Sequence, residues 1–218
     1  MAHTSEEVEA QILKWEDRDR QTQEEDYERQ LVASGIRELL KQWARTYTRL
    51  ARALADSFGE EEVLDILEEV WWDQQYEAGR SWREEFDEDP QSGMEMMFRR
   101  WHDGAQGLTG GVYVVGMEEG RWDLIMLNCY HKDVALELDD IGGREIGMGW
   151  CMSDMAATRG WCPRLVMRFP NMQLRGDPFC WQIREIVKDA DPGLDRWSKE
   201  LSERCGWRSI RKVREGQS

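Results

Sequence analysis

The chain has 218 residues, with 29 Lys and Arg against 44 Asp and Glu, which gives a formal net charge of −15. That length is enough for one or two domains with a buried core. A field of this sign repels phosphate backbones and anionic membrane surfaces, so we expect neither nucleic acid nor a membrane as a partner. Twelve Trp and eleven Met argue against wholesale disorder, because such side chains can form a core.

The N-terminal segment and the cysteine content both indicate a reducing compartment. The first twenty residues are acidic and lack the basic region and apolar core of a signal peptide. Apolar runs are far shorter than the roughly 20 residues of a membrane-spanning helix. Five cysteines at irregular spacing, without a CxxC pair, indicate free thiols. We therefore expect a cytoplasmic protein.

Helix-forming residues dominate the first half of the chain. Ser5 is expected to cap a helix that runs to about Val32 and that Gly35 ends. Apolar residues spaced by threes and fours then predict a second helix that ends near Gly59. A third helix is expected from the following acidic residues to about Phe86, and a short fourth one follows Pro90.

The composition changes after residue 103. Residues 112–117 and 122–130 are rich in β-branched and aromatic side chains, which predicts two antiparallel strands joined as a hairpin. The further elements expected are helices at 133–140 and 144–159 with a Gly-Gly break between them, a second strand pair at 164–170 and 179–187, and a closing helix at 192–205.

These elements predict an α+β fold in which a helical N-terminal half packs on a small antiparallel sheet with helices. The expected organisation is a helical region at 1–103, an α+β domain at 104–206 and a basic tail at 207–218.

Candidate chemistry rests on cysteines and carboxylates. The sequence has three His and none of the GxxxxGK[ST], GxGxxG, HExxH or GxSxG motifs. Cys129 is expected at the end of a strand, and Cys151 and Asp154 lie one helical turn apart on the same face. Cys180 opens a strand directly after residues 175–178.

Three short motifs carry a resemblance to a known family. The order NCYH at 128–131, WCMSD at 150–154 and RGDPFCWQI at 175–183 resembles the L-2-amino-thiazoline-4-carboxylic acid hydrolase family. The match covers roughly residues 112–187, and Tyr130 stands where the family pattern has a proline.

The resemblance implies a hydrolase that opens a C–N bond in a small nitrogen-containing ring without a cofactor. Attack on an amidine-like carbon needs a nucleophile and a proton donor for the leaving nitrogen. In this interpretation Cys151 or Cys180 attacks, and Cys180 is favoured because a turn-to-strand junction exposes its side chain. Asp154 or Asp177 then moves the proton.

The same resemblance suggests the residues that bind the substrate. Backbone N–H groups near Gly176 would hold developing charge, and Arg168 and Arg175 would pair with a substrate carboxylate. Apart from the resemblance, Trp150 and Trp181 lie in or near the predicted site elements and are candidates to line a flat pocket for a planar ring, with a role in the core or at an oligomer surface as the alternative.

Cys129 and His131 complete the catalytic candidates, and plainer structural roles stand beside every assignment. A cysteine in a strand or helix is often a small buried apolar residue. Gly176 and Asp177 fit an ordinary hairpin turn, and Asp154 and His131 fit a solvent-facing surface.

Three other interpretations stay open. Cys129, Cys151, Cys180 and Asp154 form a Cys₃Asp set that suits zinc, although their spacing is unlike that of a zinc knuckle. A ligand-binding or regulatory module would keep the pocket with inert thiols and no turnover. An adaptor would bind its partner through the acidic helical half.

Trp71 and Trp72 are adjacent, so they cannot share one helix face. One of them is expected to meet the C-terminal half or a second subunit, and we expect a homo-oligomer.

Overall fold

The computed structural model describes residues 27–85, 93–94, 112–118 and 120–189. Within these ranges the chain forms four α-helices of eight or more residues and a four-stranded sheet, which confirms the α+β class. In chain order the elements are α1 (Tyr27–Phe58), α2 (Glu60–Glu85), β1 (Val112–Glu118), β2 (Arg121–Met126), α3 (Tyr130–Glu137), α4 (Gly143–Trp161), β3 (Leu165–Asn171) and β4 (Cys180–Ile186). Among the described helices, none is both long and apolar enough to cross a bilayer.

The two N-terminal helices form a hairpin that turns at Gly59. Gly59 has a φ of 102°, a left-handed conformation that favours glycine. The predicted end near Gly59 and the predicted acidic start of α2 are confirmed. The expected end at Gly35 is wrong, because α1 continues through it. A glycine inside a helix costs only about 1 kcal/mol, and the buried Ala44 and Ala51 anchor the helix beyond it.

Several expected elements lie outside the described residues. They are the helix start at Ser5, most of the short helix after Pro90, the closing helix at 192–205 and the tail at 207–218.

The sheet has the strand order β1-β2-β4-β3, and all neighbouring strands are antiparallel. Both predicted strand pairs are confirmed, and Gly120, with a φ of 76°, lies in the turn of the first pair. Strand β2 ends at Met126, earlier than expected, and α3 begins at Tyr130. Cys129 therefore precedes a helix instead of ending a strand. Asp133 in the first turn of α3 favours this helix start, since acidic residues stabilise helix N-termini.

Strand β4 is buried on both faces of the sheet. Cys180 belongs to a core cluster with Met152 of α4, and Arg184 Nε donates to Thr158 Oγ1 of the same helix at 3.4 Å. The alternate residue Trp181 packs in a separate cluster. Because side chains alternate along a strand, one face of β4 contacts α4 and the other does not.

Helix α4 is held against α2 by direct contact between backbones. A Cβ atom added at Gly79 would lie 2.0 Å from the carbonyl oxygen of Ala157, and one added at Gly160 would lie 2.0 Å from that of Tyr76. Real Cβ atoms do not approach so closely, so these two positions require glycine. Helix α4 thus lies between α2 and the sheet.

The two adjacent tryptophans have different environments, as their adjacency predicts. Trp72 is buried beside Ala135 and Met152, so it meets the C-terminal half. Trp71 donates a hydrogen bond from Nε1 to the hydroxyl of Tyr47 at 2.7 Å, within the helical hairpin.

Candidate functional site

A small cavity lies between the ends of β2 and β4 and the helices α3 and α4, with a volume of about 40 Å³. Its walls combine thiols, aromatic rings and a few polar groups. The lining residues are Met126, Asn128, Cys129, Tyr130, His131, Trp150, Cys151, Ser153, Asp154, Phe169, Cys180 and Gln182.

The cavity brings together residues that are distant in sequence. Cys129 lies just before α3, and Cys151 and Asp154 lie one turn apart on α4. Cys180 begins β4 directly opposite Met126 of β2. His131 and Trp150 complete the set of predicted site residues that line it.

The structure places the predicted turn residues outside the cavity. Asp177 Oδ2 accepts a hydrogen bond from the backbone N–H of Met172 at 2.6 Å, so this carboxylate stabilises the loop before β4. Gly176 has a φ of 101° and ends the short 3₁₀ turn Gln173–Arg175. Both residues therefore fit the hairpin-turn alternative.

The remaining predicted binding residues also lie away from the cavity. Arg168 forms an ion pair with Glu185 on the neighbouring strand, and Arg175 is exposed. Trp181 is buried on the opposite face of β4, with Ile125 and Ile183.

All three cavity thiols are held in their neutral form. Burial raises the pKa of Cys180 to about 12 and the pKa of Cys151 well above its ordinary value. Burial also raises the pKa of Cys129, although a helix N-terminus favours a thiolate. The exposed Cys180 expected from its position at a turn is not observed, because Met152 and Ala156 of α4 cover it.

His131 is neutral as well, because burial lowers its pKa to about 3. Its ring packs against Trp150, with centroids 4.4 Å apart, and Trp43 of α1 lies 5.7 Å from Trp150. The Nε2 atom of His131 is buried and has no hydrogen-bond partner within the described part of the chain. A neutral imidazole of this kind offers one donor and one acceptor.

Asp154 forms part of a polar network behind the cavity. Gln182 Nε2 donates to Asp154 Oδ2 at 3.2 Å, and Arg184 Nη1 donates to Gln182 Oε1 at 3.0 Å. Burial raises the pKa of Asp154, and the nearby positive charge of Arg184 acts against that rise. Arg184 is fully buried, which lowers its pKa to about 10, so it stays charged at neutral pH.

Helix α1 fixes the position of α3 beside the cavity. Arg37 and Lys41 contact Asp133 Oδ2 at 2.7 and 2.9 Å, and Arg37 also donates to the carbonyl oxygen of Asn128 at 3.2 Å. Burial alone would raise the pKa of Asp133, but the bonds from Lys41 and Arg37 hold it below its ordinary value. The acidic helical hairpin and the cavity are thus one packed unit.

All four residues of the Cys₃Asp set line the cavity. Across the described ranges, no group of three or more His, Cys, Asp or Glu side chains is placed to hold a metal ion.

The sequence interpretation missed Gln182, Arg184, Met126 and Phe169. The first two had a detectable signal: residues two apart on a strand share a face, so Gln182 and Arg184 follow from Cys180. Met126 and Phe169 depend on strand pairing, which short motifs do not reveal.

Comparisons with known proteins leave the family undetermined. No family model and no curated protein matches the chain. A solved structure that resembles it is the crystal structure of the phenol-responsive sensory domain of the transcription activator PoxR with phenol. The two chains are 12% identical, with a TM-score of 0.47, over 71% of this chain and 82% of that chain. A likeness at this level supports no inference about ligand or activity.

Proposed function

We propose that this chain is a small-molecule-binding module and that its site is the cavity between α3, α4 and the ends of β2 and β4. The observation that carries the proposal is His131. Its Nε2 atom is buried without a hydrogen-bond partner among the described residues, and His131 lines the cavity. Leaving such a group unpaired costs about 1–3 kcal/mol, and a ligand that pairs with it recovers that cost.

The unpaired indole nitrogens are a weaker indication than the histidine. Trp150 Nε1 lines the same cavity and lacks a partner among the described residues, but so do the indole nitrogens of Trp72, Trp122 and Trp181 elsewhere. An unpaired tryptophan is therefore common in this core. His131 is the unusual group, because it is a neutral imidazole next to three neutral thiols.

The cavity volume limits the size of the ligand. About 40 Å³ holds a few water molecules, whereas a dry cavity of roughly 150 Å³ holds benzene. A single ring therefore needs side chains to move. Met126 and Phe169 are the half-buried apolar walls, and methionine adapts its shape easily. We infer a ligand no larger than one ring.

The neutral thiols support binding over catalysis. A thiolate is the nucleophilic form of cysteine, and a pKa of about 12 for Cys180 keeps it almost fully protonated at neutral pH. Neutral His131 is a poor base, because its pKa lies far below the operating pH. Free thiols at these positions also fit the cytoplasmic location that we propose.

The test is a binding screen of uncharged five- and six-membered ring compounds by ligand-observed NMR on the full chain. Wild type should bind at least one of them. His131→Phe should lose that binding, while Trp181→Phe, which alters a buried ring on the opposite sheet face, should keep it. Absence of binding to wild type, or equal binding by His131→Phe, would contradict the proposal.

A second candidate is the hydrolase that the sequence motifs suggest, acting on a C–N bond of a small nitrogen-containing ring. One observation favours it: Cys151 and Asp154 line the same cavity one helical turn apart. Asp154 has a raised pKa, which suits a general base. In this alternative Asp154 takes the proton of the Cys151 thiol as the sulfur bonds to the ring carbon, and it gives that proton to the ring nitrogen as the C–N bond breaks. Water then hydrolyses the bond between sulfur and carbon, which releases the product and restores the thiol.

Thiol labelling separates the two candidates. Native protein is treated with iodoacetamide between pH 5 and 9 and mapped by mass spectrometry, with Cys162 as the matched buried thiol outside the cavity. A binding module leaves Cys151 and Cys180 as slow as Cys162 at pH 7. Selective labelling of Cys151 or Cys180 below pH 7, together with turnover of a cyclic amidine that Cys151→Ala abolishes, would establish the hydrolase.

We also propose that the chain forms a homo-oligomer through the outer face of the helical hairpin. Four large apolar side chains of the hairpin are each more than half exposed: Leu39, Leu50, Ile66 and Val70. Apolar residues of this kind form the core of subunit interfaces, where association buries them. Analytical ultracentrifugation of wild type and of Leu50→Lys tests this. A monomer at all concentrations in both proteins would refute it.

A further inference from the structure

We propose that the cavity selects an uncharged ring that donates a hydrogen bond to Asp154 and rejects rings that carry a carboxylate. This inference rests on the proposed binding function and narrows the ligand to one chemical class. It differs from the expectation that Arg168 and Arg175 receive a substrate carboxylate.

The groups that line the cavity disfavour an anionic ligand. Asp154 carries the one carboxyl group of the described lining, and no Lys or Arg is among the lining residues. His131 and the three thiols are neutral. A ligand carboxylate would therefore enter a small cavity beside the carboxyl group of Asp154, with no Lys or Arg of the described lining to pair with it.

Arg184 is a buried cation behind the cavity, and it interacts electrostatically with Asp154. Arg184 lies on β4 behind Gln182, with its guanidinium bonded to Gln182 Oε1 and to Thr158 Oγ1. The charge of Arg184 interacts with Asp154, and the side chain of Gln182 bridges the two residues through hydrogen bonds. Arg184 therefore faces Asp154 through Gln182 and does not line the cavity, so it offers a ligand carboxylate no direct partner.

The two arginines expected to anchor a carboxylate lie outside the cavity lining, although the positive charge of Arg175 acts on the lining Cys151. Arg168 is paired with Glu185 across the strands, with its side chain 55% exposed. Arg175 is exposed on the short turn before β4. Neither residue lines the cavity.

The polar and aromatic groups of the cavity wall define the chemistry of the preferred ligand. Asp154 accepts a hydrogen bond, the unpaired His131 Nε2 accepts or donates one, and Phe169 and Trp150 offer flat apolar surfaces. An uncharged planar ring with an N–H or O–H donor satisfies both polar groups. A ring without any donor leaves Asp154 facing an apolar atom.

The experiment compares matched pairs of probes by isothermal titration calorimetry at pH 7.5. The pairs are 2-aminothiazole with 2-aminothiazole-4-carboxylate, and pyrazole with pyrazole-4-carboxylate. We expect the carboxylate member of each pair to bind at least about 100-fold more weakly, because burying an unpaired charge costs several kcal/mol.

Equal or tighter binding of a carboxylate would overturn this inference and leave the binding function intact. Failure of both members of both pairs would overturn the inference, and a blank ring screen would overturn the binding function too.

A variant locates the selectivity in Asp154. Asp154→Asn should narrow the gap between the paired probes at least tenfold, because the variant removes the carboxyl group that lies beside the ligand. Glu185→Gln changes a carboxylate outside the cavity and should leave the gap unchanged. An unchanged gap in a folded Asp154→Asn protein would refute the role of Asp154, and the wild-type ratio decides the selectivity even if that variant does not fold.

Discussion

The two faces of strand β4 are equally buried and differ in chemistry. Toward α4 the strand presents Cys180, Gln182 and Arg184, whose polar atoms meet partners on α4 and in the loop before β4. On the opposite face Trp181 and Ile183 pack into an apolar cluster. Polar groups are buried on the face where neighbouring elements supply hydrogen-bond partners. The site therefore differs from the ordinary core in the hydrogen-bond partners that neighbouring elements supply, and not in how deeply its side chains are buried.

The largest expected effect comes from removing the buried cation on the α4 side. Arg184→Met leaves Asp154 without its counter-charge, and we expect a loss of about 3 kcal/mol in the free energy of unfolding. That value lies at the low end for a broken buried pair because Asp154 is partly exposed. Urea unfolding followed by circular dichroism measures it. Adding Asp154→Leu should restore most of the loss, and a cost below 1 kcal/mol for Arg184→Met would show that the pair is unimportant.

A pH-dependent effect distinguishes the cavity from the apolar face. The pKa of His131 is about 3 in the folded chain, against about 6.5 when unfolded. Its contribution is therefore fully present above pH 6.5 and is lost as the pH falls toward 3. From pH 7.5 to 5.0, wild type should lose about 2 kcal/mol more unfolding free energy than His131→Phe. Parallel curves for the two proteins would mean that the imidazole is solvated.

The smallest expected effect lies on the opposite face. Ile183→Val removes one methylene group from the apolar cluster, which costs about 1 kcal/mol. This loss should be the same at pH 7.5 and at pH 5.0, and ligand affinity should stay within twofold of wild type. A change in affinity beyond tenfold would break the distinction between the two faces.

The sequence predicts the elements of this fold better than their assembly. Strands are predictable at residues 112–117 and 164–170 because the content of β-branched and aromatic side chains there exceeds that of the helical half. The break before α4 follows from Gly142 and Gly143, of which Gly142 has a φ of 81°. The helix end predicted at Gly35 is wrong because a single glycine costs too little free energy to end a long amphipathic helix.

The candidate site is predictable in part, for a physical reason. Cys151 and Asp154 are one helical turn apart, so local geometry brings them together. The antiparallel pairing of β2 with β4 sets Met126 opposite Cys180, and that register depends on packing throughout the sheet. Arg168 lies outside the cavity and is paired with Glu185 on β4. The local sequence around Arg168 does not show this pairing.

The glycine contact between α2 and α4 determines which wall of the cavity can adapt. Where Gly79 meets Ala157 and Gly160 meets Tyr76, no layer of side chains can be compressed or repacked, so α4 is a fixed wall. Accommodation of larger or smaller ligands then falls to Met126 and Phe169 on the strand side. Homologues with altered ligand preference would therefore diverge at these two positions while retaining both glycines.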